Sequence, residues 1–132
     1  MTVSLSIDGL EVADYSADGL IISTPTGSTA YSMSVGGPIV SPECEAFIIN
    51  PIAPHNLTMR PLIVGASSVM ELTVTARGEG ATATLDNRSF AAGSGDRFTL
   101  RRSPRKASVV KFSDCSFYST LRRKLMWGTN II

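Results

Sequence analysis

Cysteine, histidine and net charge are all scarce in this chain, and each scarcity closes off a class of chemistry. The two cysteines, Cys44 and Cys115, lie far apart with no metal-type spacing, which suits free thiols in a reducing compartment better than a disulfide framework or a ligand set. His55 is the single histidine, and no carboxylate lies near it in sequence to orient it as a base. A formal net charge of +1 exerts no general pull on nucleic acid. Arg101, Arg102, Arg105 and Lys106 cluster, as do Arg122, Arg123 and Lys124, but short basic clusters of this kind usually face solvent. No apolar run is long enough to cross a bilayer, and no N-terminal signal pattern is present. A cytoplasmic protein with neither nucleic-acid nor membrane partners is therefore expected. With 43% hydrophobic residues in 132, the chain has enough material for the core of one domain.

What is present is mostly strand pattern. Val3, Leu5 and Ile7 alternate with serines, Asp8-Gly9 supplies a two-residue turn, and Leu10 and Val12 resume the alternation, which reads as a β-hairpin. Leu20–Ile22 and Ala46–Asn50 are short continuous apolar runs of the buried-strand kind, ended by Pro25 and by Pro51 and Pro54 respectively. The segment from Pro51 to Pro61 holds three prolines and is expected to be extended loop. From Val69 onward the pattern is that of a β-meander. Leu72, Val74 and Ala76 share one face, and turns are expected at Gly78-Glu79-Gly80, Asp86-Asn87 and Gly93 to Asp96. Phe98 and Leu100 follow, and Val109, Val110 and Phe112 close the set. Strands at this spacing point to a mainly β fold, a two-layer sandwich or barrel-like sheet pair. Only the end is helical in pattern, with Phe117, Leu121 and Leu125 four apart, Asp114 or Ser116 as cap and Gly128 as stop.

The stretch with the most unusual chemistry runs from Asp18 to Pro38. After the apolar run, Thr26-Gly-Ser-Thr29 puts three hydroxyls and several backbone N–H groups into four residues, directly before Ala30, Tyr31, Ser32 and Met33, which can start a short helix. Thr26 or Ser28 is the expected N-cap, and Gly36-Gly37-Pro38 the stop. Loop amides at such a start favour anions or carbonyl oxygens, and Gly27 allows a ligand close approach. A Ser/Thr-rich turn that does nothing but cap a helix is the plain alternative. Two sharper readings fail on residue type. A phosphate-cradling P-loop needs Lys after its last Gly, and a nucleophile elbow needs Gly two residues either side of the Ser, whereas Ser28 is followed by Thr29 and Ala30. A serine hydrolase built from Ser28 or Ser32 with His55 and Asp18 has the residue types but not that elbow.

The string Asp18-Gly-Leu-Ile-Ile-Ser-Thr-Pro-Thr-Gly-Ser-Thr-Ala-Tyr-Ser32, with Gly36-Gly-Pro-Ile39, resembles the C-terminal half of bacterial NAD kinases. The likeness continues through Pro51-Ile-Ala-Pro-His-Asn-Leu57 and Arg60-Pro-Leu62 and into Phe117-Tyr-Ser-Thr-Leu-Arg-Arg-Lys-Leu-Met-Trp-Gly128. It implies one domain over residues 1–132, the NAD-binding and oligomerisation domain of an enzyme that phosphorylates the adenosine ribose 2′-hydroxyl of NAD to make NADP. ATP or polyphosphate would be the donor and Mg²⁺ would sit over the phosphates. The family's Gly-Gly-Asp-Gly loop with its catalytic Asp, and its later Asn-Glu pair, do not occur in this sequence. The resemblance therefore implies no catalytic residue here, no metal held by these residues, and an inactive domain when alone.

Carried over by position, the family's NAD-contacting residues fall on Asp18, Thr26, Thr29, Ala30, Tyr31, Ser32, Met33 and Ser34, with Ala53 in the proline-rich loop. The flat face of Tyr31 suits adenosine, and the Asp18 carboxylate can accept from an amide NH₂ or from ribose hydroxyls. The hydroxyls and main chain of Thr26 and Thr29 can bond base or ribose, while Ala30 leaves room for the ligand. Core packing for Tyr31 and a plain turn role for Asp18 are the structural alternatives. Ser16 and Arg88 depart from the Arg and Gln that many members carry, and neither is counted among the site residues. Such kinases are typically homo-oligomers, and Ile52, Leu57 and Met59 on a proline-stiffened loop could face a neighbouring subunit. A stand-alone nucleotide-binding or regulatory β module without catalysis is the alternative from another functional class.

Overall fold

A computed structural model describes residues 1–78 and 80–130 of the chain and divides it into two compact units, Met1–Arg102 and Ser103–Ile132. The first unit is mainly β. Strand β1 (Thr2–Ile7) pairs antiparallel with β2 (Leu10–Ser16) across the Asp8-Gly9 turn. Asp8 at φ 51 and Gly9 at φ 80 are the left-handed pair that a tight two-residue hairpin requires. Next come β3 (Gly19–Ser23), a 3-10 turn over Thr26–Thr29, the one-turn helix α1 (Tyr31–Ser34), β4 (Ala46–Ile52) and β5 (Leu62–Gly65). The unit is completed by β6 (Met70–Thr75), β7 (Ala81–Leu85), β8 (Arg88–Ala92) and β9 (Arg97–Leu100).

These strands form a four-stranded sheet ordered β2-β1-β6-β9, a three-stranded sheet ordered β3-β4-β5, and the separate β7–β8 hairpin. The alternation along β1 and β6 turns Leu5 and Met70 to one face, and with Tyr15 they meet Ile49 of the second sheet in a buried cluster. Ile22, Phe47, Val64, Leu72 and Leu100 pack round it. Two sheets closed on one apolar layer give the expected two-layer, mainly β architecture.

Three local expectations are corrected. The second half is not a meander: β6 pairs with β1 and β9, and β7–β8 is inserted between them as a hairpin of its own. Pro51 does not end β4 but sits inside it, opposite Leu20. A proline is tolerated there because β5 reaches only as far as the Leu62–Ile49 pair, so at Pro51 the strand has a ladder on one side only. Val109, Val110 and Phe112 form no strand and are exposed; β-branched and aromatic residues favour a strand only where cross-strand neighbours pack against them.

The second unit contains α2 (Phe117–Leu125). Ser116, not Asp114, is its cap: the Ser116 hydroxyl accepts from the Ser119 amide at 3.0 Å, while the Ser119 hydroxyl accepts from the Ser116 amide at 3.1 Å. This reciprocal pair satisfies two amides that helix geometry leaves free. Leu121 is the buried member of the predicted face. The helix stops earlier than Gly128, at Met126, which takes a left-handed conformation at φ 52.

Candidate functional site

The loop after β3 is built differently from its sequence pattern. Neither Thr26 nor Ser28 caps a helix; Pro25 and Ala30 occupy the cap positions and neither makes a side-chain cap bond. The capping task falls to Thr24, whose hydroxyl accepts from the Gly27 amide at 3.2 Å. Ser28 is fully buried and faces inward, its hydroxyl accepting from the Val40 amide at 3.0 Å and donating to the Val40 carbonyl at 3.4 Å. This bond ties the 3-10 turn to the segment beyond Gly36-Gly37-Pro38.

A second tie fixes α1. Asn50, buried on β4, donates through Nδ2 to the Ser32 carbonyl at 3.0 Å and to the Ser32 hydroxyl at 3.4 Å. The Gly37 amide donates to the same Ser32 carbonyl at 2.8 Å. A Cβ on Gly37 would stand 2.5 Å from both Asn50 Nδ2 and Ser32 Oγ, so only glycine lets the chain close over this network. A buried polar cluster of this kind holds its parts in one arrangement because every alternative leaves a group unbonded.

With the loop so anchored, an open cleft of about 1100 Å³ lies between three walls. The first is β3 with its approach, from Asp18 to Thr24. The second is the turn region, with Gly27, Ala30, Tyr31 and Ser32. The third is the β7–β8 hairpin, with Gly80, Ala81, Thr82, Thr84, Leu85 and Asp86. Of the residues expected at a site, the cleft brings together Asp18, Ala30, Tyr31 and Ser32. Thr26, Thr29, Met33, Ser34 and Ala53 are not among its lining residues. Thr26 is exposed and Thr29 half-buried on the 3-10 turn, Met33 is half-buried, and Ser34 is exposed at the end of α1. Ala53 lies on the exposed loop after β4 with φ 45. Ser32 is 1% exposed and engaged by Asn50, so its part in the cleft wall is largely that of an anchor.

The sequence profile of the ATP-NAD kinase C-terminal domain matches residues 1–112. The chain belongs to that family. The NAD kinase of Flavobacterium psychrophilum is 44% identical over 128 residues, covering 97% of this chain and 44% of that protein. The NAD kinase of Gemmatimonas aurantiaca is 44% identical over 130 residues, with 95% and 44% covered. The chain thus spans less than half the length of these curated relatives. Among solved structures, yeast NADH kinase complexed with NADH superposes with a TM-score of 0.86 at 26% identity, over 99% of this chain and 41% of that one. An Archaeoglobus fulgidus NAD kinase in complex with ATP gives 0.70 at 34% identity, over 78% and 39%.

For an NAD kinase C-terminal domain, the apolar backbone wall of β3 beside an exposed tyrosine ring and a carboxylate is a surface suited to a nucleoside: a flat face for stacking and an acceptor for hydroxyl or amide donors. Sequence reasoning missed the hairpin wall and the organising role of Asn50. The Asp86-Asn87 turn was legible, but the packing that carries it to the cleft is tertiary. Among the described residues no group of three or more His, Cys, Asp or Glu side chains stands close enough to hold a metal ion. These residues therefore do not themselves offer a donor set for Mg²⁺.

Proposed function

We propose that this chain is the dinucleotide-binding domain of an NAD kinase, and that the parent enzyme transfers a phosphoryl group from ATP, or from polyphosphate, to the adenosine ribose 2′-hydroxyl of NAD. The observation that carries the reading is the cleft itself, in which the Asp18–Thr24 wall and Tyr31 meet in a chain whose family membership spans 112 residues. Tyr31 supplies a stacking face for the adenosine part and Asp18 an acceptor, with Ala30 leaving space between them. Thr26, Thr29, Met33 and Ser34, which lie beside rather than in the cleft, would contact ligand through the main chain or in an assembled oligomer. Ala53 belongs to the same proposal: a left-handed φ of 45 at a residue with a Cβ is a strained backbone that persists only where its surroundings impose it, as a contact with a neighbouring subunit's pocket would.

Divalent metal and the catalytic carboxylate belong, in this reading, to the remainder of the parent. The 132 residues alone bind NAD without converting it. Scanning calorimetry with increasing NAD tests the binding claim, since a ligand that binds the native state raises stability by about 2.7 kcal/mol at a hundred times its Kd. A melting temperature that does not move up to millimolar NAD contradicts the proposal. Steady NADP formation by the pure chain with ATP and Mg²⁺ contradicts the assignment of catalysis elsewhere.

A further inference from the structure

The cleft carries side-chain charge of one sign. Asp18 before β3 and Asp86 at the tip of the hairpin are the charged side chains among the described residues that line it, while the main-chain ammonium of Met1, also a lining residue, is engaged by the Ala17 carbonyl at 3.4 Å. Neither carboxylate has a salt-bridge partner: the one ion pair among the described residues joins Arg102 to Glu45 at 3.1 Å. The hairpin contributes Thr82 and Thr84 from β7 and, just beyond the end of that strand, Asp86 to the cleft lining. Asp86 stands at φ 52 in the two-residue turn between Leu85 and Arg88, a backbone that Asp and Asn accept readily. Arg88 itself is not a lining residue.

Carboxylates repel a pyrophosphate and attract a pyridinium ring, and they accept hydrogen bonds from a carboxamide and from ribose hydroxyls. We infer that the hairpin wall carrying Asp86 faces the nicotinamide riboside end of NAD and favours the oxidised, cationic ring over the neutral reduced one. The inference rests on the dinucleotide reading above and adds to it an orientation and a source of redox-state preference. Because Asp86 is exposed, water and salt screen its field, and its share of the preference is roughly two- to fivefold in affinity at low ionic strength.

Isothermal titration of the whole chain with NAD⁺ and with NADH, at low salt and again at about 0.5 M salt, tests this. Asp86→Asn removes the charge and keeps the turn. It is expected to weaken NAD⁺ binding roughly two- to fivefold, to leave NADH binding unchanged, and to lose most of that difference at high salt. A residue that only shapes the turn would shift both ligands together and without salt dependence. Binding of both dinucleotides with an affinity ratio that Asp86→Asn does not alter overturns the inference and leaves the dinucleotide reading standing. Failure of both to bind overturns that reading, and the inference with it.

Discussion

Tyr31 is 61% exposed at the start of a four-residue helix beside the cleft, which core packing does not explain and a stacking role does. Replacing it with alanine should weaken NAD binding by about 1–3 kcal/mol, roughly 5- to 150-fold, as measured by titration calorimetry. Asp18→Asn should weaken it as well while leaving the melting temperature of the free chain in place. Unchanged affinity in both variants would remove these side chains from the site. Gly37 makes a contrasting case, in which stability rather than affinity is at stake. An added methyl meets Asn50 and Ser32 at 2.5 Å, so Gly37→Ala should cost about 1–3 kcal/mol in urea unfolding through strain in a packed network. A cost below about 0.5 kcal/mol would show that the loop can give way. Tyr15 supplies a pH test of the core. Burial raises its phenol above the usual tyrosine value, so the native state holds this proton longer than the unfolded chain does. Its contribution is complete below about pH 10, the unfolded value, and is lost as the pH climbs from there through the raised native value. Alkaline unfolding curves of Tyr15→Phe should accordingly fall less steeply above about pH 10 than those of the parent chain.

At the scale of elements, the sequence was most readable where one local rule decided the outcome. The β1–β2 hairpin followed from alternation and Asp8-Gly9, and both left-handed turn residues are where that pattern needs them. The tail helix followed from leucines four apart and a serine cap. Misreadings arose where a neighbour decided. Pro51 reads as a strand end until β5 is seen to stop short of it, and Val109 to Phe112 reads as a strand by composition although it is exposed and forms none. The site was legible to the same extent. Asp18, Ala30, Tyr31 and Ser32 are contiguous with one motif and fell into the cleft together. The hairpin wall begins at Gly80, 48 residues beyond Ser32, and no local signal ties it to the motif. Ser28 and Ser32 have the residue type of ligand contacts, yet buried partners on Val40 and Asn50 claim their hydroxyls.

For the whole molecule, the proline-rich loop bears on assembly. Of its three apolar residues, Leu57 is 87% exposed, whereas Met59 packs against the core and Ile52 lines the cleft. Among Ile52, Leu57 and Met59, Leu57 is therefore the one left for the expected subunit contact, beside Ala53. The chain should form at least a dimer in light scattering at high micromolar concentration, and Leu57→Asp should weaken that association, since a charge buried at an interface goes uncompensated. A species of 14.0 kDa alone would contradict the dimer. The central claim, that the cleft between β3, α1 and the hairpin is the NAD site, is tested most directly by a crystal of the chain soaked in NAD. The account predicts ligand density in that cleft, with a nucleoside ring against Tyr31 and a hydrogen bond to the Asp18 carboxylate. NAD bound elsewhere, or an empty cleft in a crystal whose lattice leaves it open at saturating NAD, would contradict it.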